Sequence, residues 1–522
     1  MNRVVAGAVH TFSSFGTSLL CAHHRHFCFL SKVKTFANDC LKMRNSDFHG
    51  WKSVVGGFCI HLVLGTLYLL PNITQAVTAH LRKYDDSITY NDTLLVYACA
   101  LAGQGLFMIA GGLIEVRIGA RKCCLLGGTI LVAGTLLSAA ATTLNHLLLT
   151  DGIMFGMGMG ICYSAPIACA SRWMPDKKGL LSGIIVAGFG GGSFIFGQIA
   201  LNMLNPTREG IAGGGQSKES YYDSNSRIAN MVPTMFLYLG LFYAILILIG
   251  SSLLSDPPVV AETVVFESEL NIIRCDQQNR QLAGATYQQA RTDDLESSRK
   301  ISMPLEAITV APSEDIMPTV KLGRPQIGPT ELVRTPLAWH LASCIITTTV
   351  GGMYLCGTYK TFGQLSFSSE MFLSTVASTA SLFSAVGRIF WGALGDRIGA
   401  KEALMCMTLL FSLIIVTFPL SPLLGQTGFA IWTFLIFFLE GGNFALYMPV
   451  TIDTFGGKFA GANYGIIFTS YSIFSVINIT VLADTNVKYD LACNLMGALT
   501  FLGFVNLCLF RINVRTSPPL LH

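Results

Sequence analysis

The sequence predicts an all-α membrane protein with about twelve transmembrane helices arranged as two six-helix bundles. Of its 522 residues, 52% are hydrophobic and only 12% are charged, with a mean hydropathy of +0.54, whereas soluble chains are about 25% charged. The apolar residues gather in blocks of about 20, which is long enough to cross a hydrocarbon core of about 30 Å. A short motif also repeats between the two halves of the chain. These three observations exclude a soluble globular fold.

Apolar blocks predict the individual helices in order along the chain. In the first half they cover about 52–73, 92–115, 121–143, 146–171, 180–204 and 231–253. In the second half they cover about 336–358, 368–393, 402–420, 426–452, 462–483 and 490–510. An even number of spans places both termini on the same side of the membrane.

These spans divide the chain into five predicted parts. They are a basic N-terminal extension (1–50), a first six-helix bundle (51–254), a central loop (255–335), a second six-helix bundle (336–511) and a short tail (512–522). The central loop is rich in Gln, Ser, Pro and mixed charge, without a sustained apolar period. We expect it to be a disordered, solvated tether between the bundles, and we assign it no activity.

Basic residues predict the orientation of the chain. Lys and Arg gather in the loops of one face, at Arg117, Arg121, Lys122, Arg172, Lys177, Lys178, Arg397, Lys401 and Lys458. Because cytoplasmic loops carry an excess of Lys and Arg, we expect both termini on the cytosol-like side. This bias also accounts for the net charge of +4, so no nucleic-acid surface is predicted.

The first 46 residues have an unusual composition. They hold no acidic residue before Asp39 and carry Arg3, Arg25, Lys32 and Lys34 among many Ser and Thr. This profile is typical of an organelle-targeting sequence, although an extended cytosolic tail or a start at Met43 fits equally. The sequence therefore leaves open an organelle membrane of plastid or mitochondrial type and the plasma membrane.

Enzymatic motifs are missing from the sequence. It contains no Walker motif, HExxH, CxxC pair or nucleophile elbow, and its dense glycines lie inside apolar spans and not after a strand. We therefore expect no enzyme activity, no cofactor and no metal.

One motif occurs once in each half. Arg117-Ile118-Gly119-Ala120-Arg121 ends the second predicted span, and Arg397-Ile398-Gly399-Ala400-Lys401 ends the eighth, 280 positions later (397 minus 117). A duplicated six-helix unit is a recognised plan of transporters.

The second copy of this motif has a fuller context, Gly392-Ala393-Leu394-Gly395-Asp396-Arg397-Ile398-Gly399. It resembles the Gly-x-Leu-x-Asp-Arg-x-Gly signature of the major facilitator superfamily. The resemblance implies a conformational latch, in which an Asp–Arg pair at a helix end couples the two bundles. The candidates are Asp396 and Arg397, with Glu115 and Arg117 in the first copy. Val116 occupies the Asp position of that first copy.

A narrower resemblance covers most of the membrane region. It is carried by Gly50-Trp51, Arg172-Trp173-Met174-Pro175-Asp176-Lys177-Lys178-Gly179, Ala187-Gly188-Phe189-Gly190, Gly387-Arg388-Ile389-Phe390-Trp391-Gly392 and Gly461-Ala462-Asn463-Tyr464-Gly465. These segments are similar to those of the oxalate/formate exchanger and monocarboxylate transporter branch. The resemblance implies secondary transport by alternating access, with a small carboxylate and the lipid bilayer as partners. Protein partners are not predicted.

Arg388 is the leading candidate for binding a carboxylate. An Arg at the bilayer centre costs at least about 2.5 kcal/mol on insertion scales and is functional by default, and its planar donors suit a carboxylate. The alternative is a pair with Glu440 that only holds two helices together. Further substrate-binding candidates are Asn72, Tyr163, Tyr354, Tyr471 and Asn443, and the proton-coupling candidates are Glu440 and His61.

Two lysines of related transporters are replaced in this sequence, and these replacements restrict the class of substrate that the resemblance implies. Tyr471 stands where oxalate exchangers carry a second cation, and Asn72 follows Pro71 where animal-type monocarboxylate transporters carry a Lys. We therefore expect a substrate with one negative charge, of the pyruvate, lactate or formate class, moved by proton symport or anion exchange. The alternatives are another small organic anion and a sensor of the same fold that does not transport.

Overall fold

The computed structural model describes residues 47–206, 222–257, 326–367, 369–482 and 489–511. The predicted targeting segment, most of the central loop and the short tail lie outside the described residues. The five predicted domain boundaries therefore stay predictions.

The first half of the chain forms six long helices. They are α1 (Asp47–Leu81), α2 (Tyr90–Ile118), α3 (Ala120–Ser138), α4 (Leu144–Trp173), α5 (Lys178–Leu204) and α6 (Arg227–Leu253). Two of them contain irregular turns: α1 has a 3₁₀ turn at Gly65–Leu69, and α4 has a π-helical segment at Leu148–Met154. The start of α2 is set by a capping box, in which the backbone N–H of Thr89 donates to Asp92 Oδ2 at 2.9 Å, leaving fewer unpaired amides at the helix end.

The second half forms six more helices. They are α7 (Pro336–Ser366), α8 (Glu370–Ile398), α9 (Ala400–Thr417), α10 (Gly425–Phe455), α11 (Ala460–Leu482) and α12 (Tyr489–Leu509). A 3₁₀ turn at Phe418–Leu424 joins α9 to α10, and a short helix at Pro329–Leu332 precedes α7.

Most of these helices are apolar enough to cross a membrane. Within the described residues, ten helical stretches reach the required length and hydropathy, and one of them, Ala400–Phe455, contains both α9 and α10. The predicted all-α membrane fold is confirmed. The helices extend a few residues beyond several predicted spans, most clearly in α7, because a helix continues past the hydrocarbon core into the interface.

The helices of each half pack mainly on one another, and among the described residues two helix pairs make the most extensive contacts between the halves. In the first half α2 and α3 pack on α4, and in the second half α8 packs on α10. Between the halves, α5 packs along α8 and α2 packs along α11. These two contacts position the candidate functional site.

Equivalent tight turns follow α2 and α8. Gly119 and Gly399 lie 280 positions apart, with φ of +85° and +102°, in the region that favours glycine. The repeated motif therefore codes for the same turn twice. We call the side of the molecule that carries these turns the basic face, because the predicted basic loops lie there.

Candidate functional site

Arg388 lies in the middle of α8, at the contact with α5. Its side chain is 2% exposed, and its Nη1 donates to the carbonyl of Val186 in α5 at 3.0 Å. The guanidinium lies 5.6 Å from the ring centroid of Phe189 and 5.5 Å from that of Phe444, and such cation–π contacts stabilise a desolvated cation. Its Nε has no hydrogen-bond partner among the described residues.

Glycines make room for this side chain. A Cβ atom at Gly441 of α10 would lie 3.2 Å from the Arg388 Cγ, and one at Gly190 of α5 would lie 3.1 Å from Nη1. Both distances are tighter than ordinary contacts. Small residues on α5 and α10 therefore allow an arginine to occupy a closely packed helix interface.

A small cavity lies beside the guanidinium, between the two bundles. It is just large enough to admit a water molecule and is lined by Tyr68, Leu101, Gln104, Tyr163, Phe189, Arg388, Phe444, Phe468 and Tyr471. Among these described lining residues, Arg388 is the one that carries a charge. The cavity is thus an aromatic chamber with a single cation and several hydroxyl or amide groups.

Three of the predicted substrate-binding residues meet at this cavity, namely Arg388, Tyr163 and Tyr471. Asn443 lies close by, where its Nδ2 donates to Glu440 Oε2 at 3.2 Å. The expectation that Asn72 and Tyr354 face the same cavity does not match this structure. Asn72 is exposed and donates to the carbonyl of Tyr68 at 3.2 Å, while Tyr354 packs against Tyr489 of α12.

The two proton-coupling candidates are buried near Arg388. Glu440 of α10 is 7% exposed, and its Oε1 has no partner among the described residues. His61 of α1 is fully buried; its Nδ1 lies 3.0 Å from the carbonyl of Gly57, and its ring meets Tyr163 edge-on. No ion pair joins Arg388 to Glu440 in the described part of the chain. The alternative role of Arg388, in which it pairs with Glu440 only to hold two helices together, is therefore not supported by such a contact.

The predicted latch residues have different partners from those expected. Asp396 accepts hydrogen bonds at 2.7 Å from the backbone N–H groups of both Gly179 and Leu180, at the start of α5. A carboxylate is stabilised there because the first amides of a helix are unpaired and its N-terminus is partly positive. Arg397 is exposed, because successive helix residues point about 100° apart. The contact between the bundles thus runs from a carboxylate to a helix end, not from Asp396 to Arg397.

In the first copy of the repeated motif, the candidate latch residues make different contacts from those in the second copy. Glu115 is buried and pairs with Arg172, which also donates to Asp256 Oδ1 at 2.7 Å. Asp256 in turn accepts from the backbone N–H of Ala120 at 2.8 Å. Arg117 is exposed. These contacts stay within the first half, so this Glu115 network does not join the two bundles.

Three polar residues were missed by the sequence reasoning. Lys178 of α5 forms an ion pair with Asp453 of α10 across the bundle interface, but Lys178 had been counted only as a loop charge. Tyr68 lines the cavity on α1. Lys360 is half-buried in α7, just past the predicted end of that span. A charge just past the end of a predicted span is the signal that could have found Lys360 and Asp453.

Comparison with known proteins places this geometry in a family. The sequence profile of the Major Facilitator Superfamily matches residues 54–479. The apicoplast pyruvate carrier 1 of Toxoplasma gondii is 27% identical over 482 residues, which are 81% of each chain. The oxalate:formate antiporter of Oxalobacter formigenes is 24% identical over 469 residues, covering 88% of this chain and 93% of its own.

Two further comparisons agree. The apicoplast pyruvate carrier 2 of Toxoplasma gondii is 20% identical over 512 residues, covering 82% of this chain and 77% of its own. The solved proton:xylose symporter with bound 6-bromo-6-deoxy-D-glucose superimposes with a TM-score of 0.60 at 12% identity, over 88% of this chain and 94% of its own. The likeness to that symporter shows the fold alone. The chain belongs to the major facilitator superfamily and is a multi-pass membrane transporter, not an enzyme.

Proposed function

We propose that this transporter carries a small monocarboxylate, of the pyruvate, lactate or formate class, by alternating access. The observation that carries the proposal is Arg388, a buried cation beside a small cavity between the bundles and without an ion-pair partner among the described residues. The names of the pyruvate carriers and of the oxalate:formate antiporter support a carboxylate.

Arg388 supplies both charge and geometry for a carboxylate. The buried guanidinium makes no ion-pair contact among the described residues of the empty site, and a bound carboxylate supplies that contact. The guanidinium fork donates two parallel hydrogen bonds to a carboxylate. Because one of its donors rests on the Val186 carbonyl of the opposite bundle, an anion that competes for this donor weakens a contact between the bundles. Substrate binding therefore favours the change of conformation on which alternating access depends.

The aromatic lining favours a substrate with one negative charge. Tyr471 is 2% exposed and lines the cavity together with Arg388. A second carboxylate there would meet a hydroxyl group and aromatic rings in place of a cation, and an unpaired buried charge is costly. A Tyr471→Lys variant should therefore lose pyruvate transport and gain binding of oxalate.

Glu440 is the proposed proton carrier. In the empty site an ionised Glu440 balances the charge of Arg388; when a monocarboxylate binds Arg388, Glu440 Oε1 accepts a proton. One proton then accompanies each carboxylate, and the loaded site carries the same net charge as the empty one. The burial of Glu440 and the unpartnered Oε1 support this role.

Uptake into proteoliposomes tests the transport step and its driving force together. Wild-type protein should take up labelled pyruvate faster under an inward proton gradient. Glu440→Gln, which has nearly the same shape but cannot ionise, should lose this acceleration and retain exchange of internal for external pyruvate. Uptake that is absent in the wild type would contradict the monocarboxylate proposal, and acceleration retained by Glu440→Gln would contradict only the coupling role.

An organelle membrane is the proposed location. The basic, acid-poor composition of residues 1–46 and the two relatives named as apicoplast carriers support it. A fluorescent fusion of the full chain should reach a plastid or mitochondrial membrane, and a fusion that starts at Met43 should not. Plasma-membrane fluorescence from both fusions would contradict the proposal.

A further inference from the structure

We propose that Asp151 is a second proton-binding site, located inside the first bundle and separate from the central cavity. The proposal goes beyond monocarboxylate transport and does not depend on the substrate. It rests on the position, surroundings and irregular backbone of this one carboxyl group.

Asp151 is an acidic residue deep inside a membrane-spanning helix. It is 3% exposed, and its Oδ2 has no hydrogen-bond partner among the described residues. It lies seven residues into α4, roughly 10 Å from the helix end at a rise of 1.5 Å per residue. Acidic residues at such depth are rare and mark ion or proton pathways.

The backbone at Asp151 is irregular. The residue lies in the π-helical segment Leu148–Met154 of α4, and π-helical turns inside α-helices are frequent at functional sites. Thr150, beside it, bonds to the carbonyl of His146 at 2.9 Å and accepts from Ser138 of α3 at 2.8 Å. These bonds hold the segment in place and leave the carboxyl group of Asp151 without a hydroxyl partner.

The groups that face this region are mostly neutral hydroxyl or thiol groups. Helix α2 contributes Tyr97 and Cys99, and α6 contributes Tyr243, which lies within electrostatic range of Asp151. On α4 itself, His146 is half-exposed at the helix end. No cation of the described chain lies within ion-pair distance of Asp151. A proton is therefore the ligand that neutralises the carboxylate.

A metal ion fits this place poorly. Ca²⁺ takes six to eight oxygen ligands, and Mg²⁺ requires near-ideal octahedral geometry. The described residues hold no cluster of three or more His, Cys, Asp or Glu side chains. A single carboxyl oxygen with neutral neighbours suits a proton, which requires only one basic atom.

A small cavity lies about one helical turn from Asp151, which is not among its lining residues, and is the proposed entry for the proton. It lies between α1, α2, α4 and α6, and its lining includes the hydroxyl groups of Thr74, Thr93 and Tyr97. Leu147, one turn before Asp151, also lines it. The cavity is near the end of α4 that is opposite the basic face, so protons from that side reach Asp151 without crossing the central site.

Contacts also connect Asp151 to the central cavity. Tyr243 lies close to Thr66, which belongs to the 3₁₀ turn of α1. The neighbouring Gly65 packs directly against the backbone of Phe189, whose ring lies under Arg388. Proton binding at Asp151 thus acts on the turn of α1 that supports the anion site.

Infrared difference spectroscopy on the purified full-length protein tests proton binding without any substrate. Between about pH 5 and pH 9, a range that covers carboxyl groups in altered environments, a protonated-carboxyl band should disappear as the pH rises. The same band should be missing from Asp151→Asn and shifted in Asp151→Glu. An unchanged difference spectrum in Asp151→Asn would overturn the proposal.

Transport measurements test the link to the anion site. Asp151→Asn should flatten the pH dependence of pyruvate exchange, whereas Thr129→Ala, which removes an exposed hydroxyl group of α3, should keep the wild-type profile. A wild-type profile in Asp151→Asn would limit Asp151 to a structural role and overturn the link. If the wild type carries no pyruvate, the monocarboxylate proposal fails, while the infrared result still decides whether Asp151 binds a proton.

Discussion

The two helix pairs that join the bundles share a backbone design and differ in charge. On one side, Gly392 of α8 meets the backbone of Gly179 in α5; on the other, Gly112 of α2 meets the backbone of Gly461 in α11. Gly112 and Gly392 are 280 positions apart, the same interval as the repeated motif. Both pairs therefore use glycine to bring two helices into direct backbone contact.

Among the described residues, charged side chains take part in the helix–helix contact of only one of these pairs, α5–α8. The position of Arg388 in α8 corresponds to Met108 in α2, and that of Asp396 corresponds to Val116. A Cβ at Gly183 would meet the backbone of Arg388, and one at Gly465 would meet the backbone of Met108, which supports this correspondence. Both pairs keep the close contact, while in the described part of the chain the proposed anion site and latch lie in the α5–α8 pair.

The largest effect is expected from breaking the close contact itself. In Gly392→Ala the new Cβ would lie 2.2 Å from the Gly179 carbonyl oxygen, and in Gly112→Ala 2.1 Å from the Ala462 nitrogen. Overpacking costs about 1–3 kcal/mol, so the conformation described here, in which the bundles touch at these glycines, should lose population by roughly 5- to 150-fold. Hydrogen exchange at the start of α5 and of α11 measures this loss.

Gly197→Ala is the matched control, because a Cβ at that position meets nothing within 4 Å. It should leave exchange unchanged and slightly stabilise α5, since alanine has a higher helix propensity than glycine. Equal exchange in all three alanine variants would contradict the close-contact account.

Removal of the latch charge should have a smaller effect. Asp396→Ala loses the acceptor of two backbone N–H bonds at the start of α5, and loss of such a cap costs about 1 kcal/mol. The amides of Gly179 and Leu180 should exchange roughly 5-fold faster. The neighbouring Arg397→Ala should not change them, because Arg397 is exposed. If amide exchange is accelerated similarly in both variants, the latch is instead the Asp396–Arg397 pair that the motif indicates.

A charge added to the uncharged pair should strengthen it. Val116→Asp places a carboxylate at the position equivalent to Asp396, facing the start of α11. A charge at a helix N-terminus contributes about 0.3–1 kcal/mol, so amides at the start of α11 should exchange up to about 5-fold more slowly. If the amides of α5 exchange more slowly in this variant and those of α11 do not, the α2–α11 and α5–α8 pairs are not equivalent.

The smallest effect is expected from the ion pair between Lys178 and Asp453. Both side chains are partly exposed, at 15% and 21%, and exposed pairs contribute about 0.2–1 kcal/mol. A double-mutant cycle of Lys178→Ala and Asp453→Ala should give a coupling energy in that range, measured from the same exchange rates. A coupling well above it would make this pair, and not Asp396, the principal latch.

The sequence predicted the fold and the central cation because both signals are local. Blocks of about twenty apolar residues identify spans wherever they occur, and an arginine inside such a block is visible without knowledge of its neighbours. The partners of Arg388 were not predictable in this way. Val186 lies 202 positions away, and a backbone carbonyl leaves no mark in the sequence.

The sequence did not predict which side chains of a helix face the cavity, as Asn72 and Tyr68 illustrate. In α1 the five-residue 3₁₀ turn Gly65–Leu69 precedes the α-helical stretch Leu70–Leu81. Each residue of the turn adds roughly 20° of rotation relative to an α-helix. Tyr68, the fourth residue of the turn, is therefore rotated by roughly 80° and lies at the cavity, whereas residues beyond Leu69 are rotated by roughly 100°, which leaves Asn72 outside it. Hydropathy does not reveal such a turn, because the lipid-facing and buried sides of a span are equally apolar.

The most direct measurement is pyruvate uptake by proteoliposomes that contain variants of the two corresponding positions. Arg388→Met, which copies Met108, should lower uptake by roughly 10- to 150-fold, because charge-assisted hydrogen bonds contribute about 1.5–3 kcal/mol. Arg388→Lys should fall between this variant and the wild type, and Met108→Leu should transport normally. If Arg388→Met transports as well as the wild type, the anion site does not belong to the α5–α8 pair and the account is wrong.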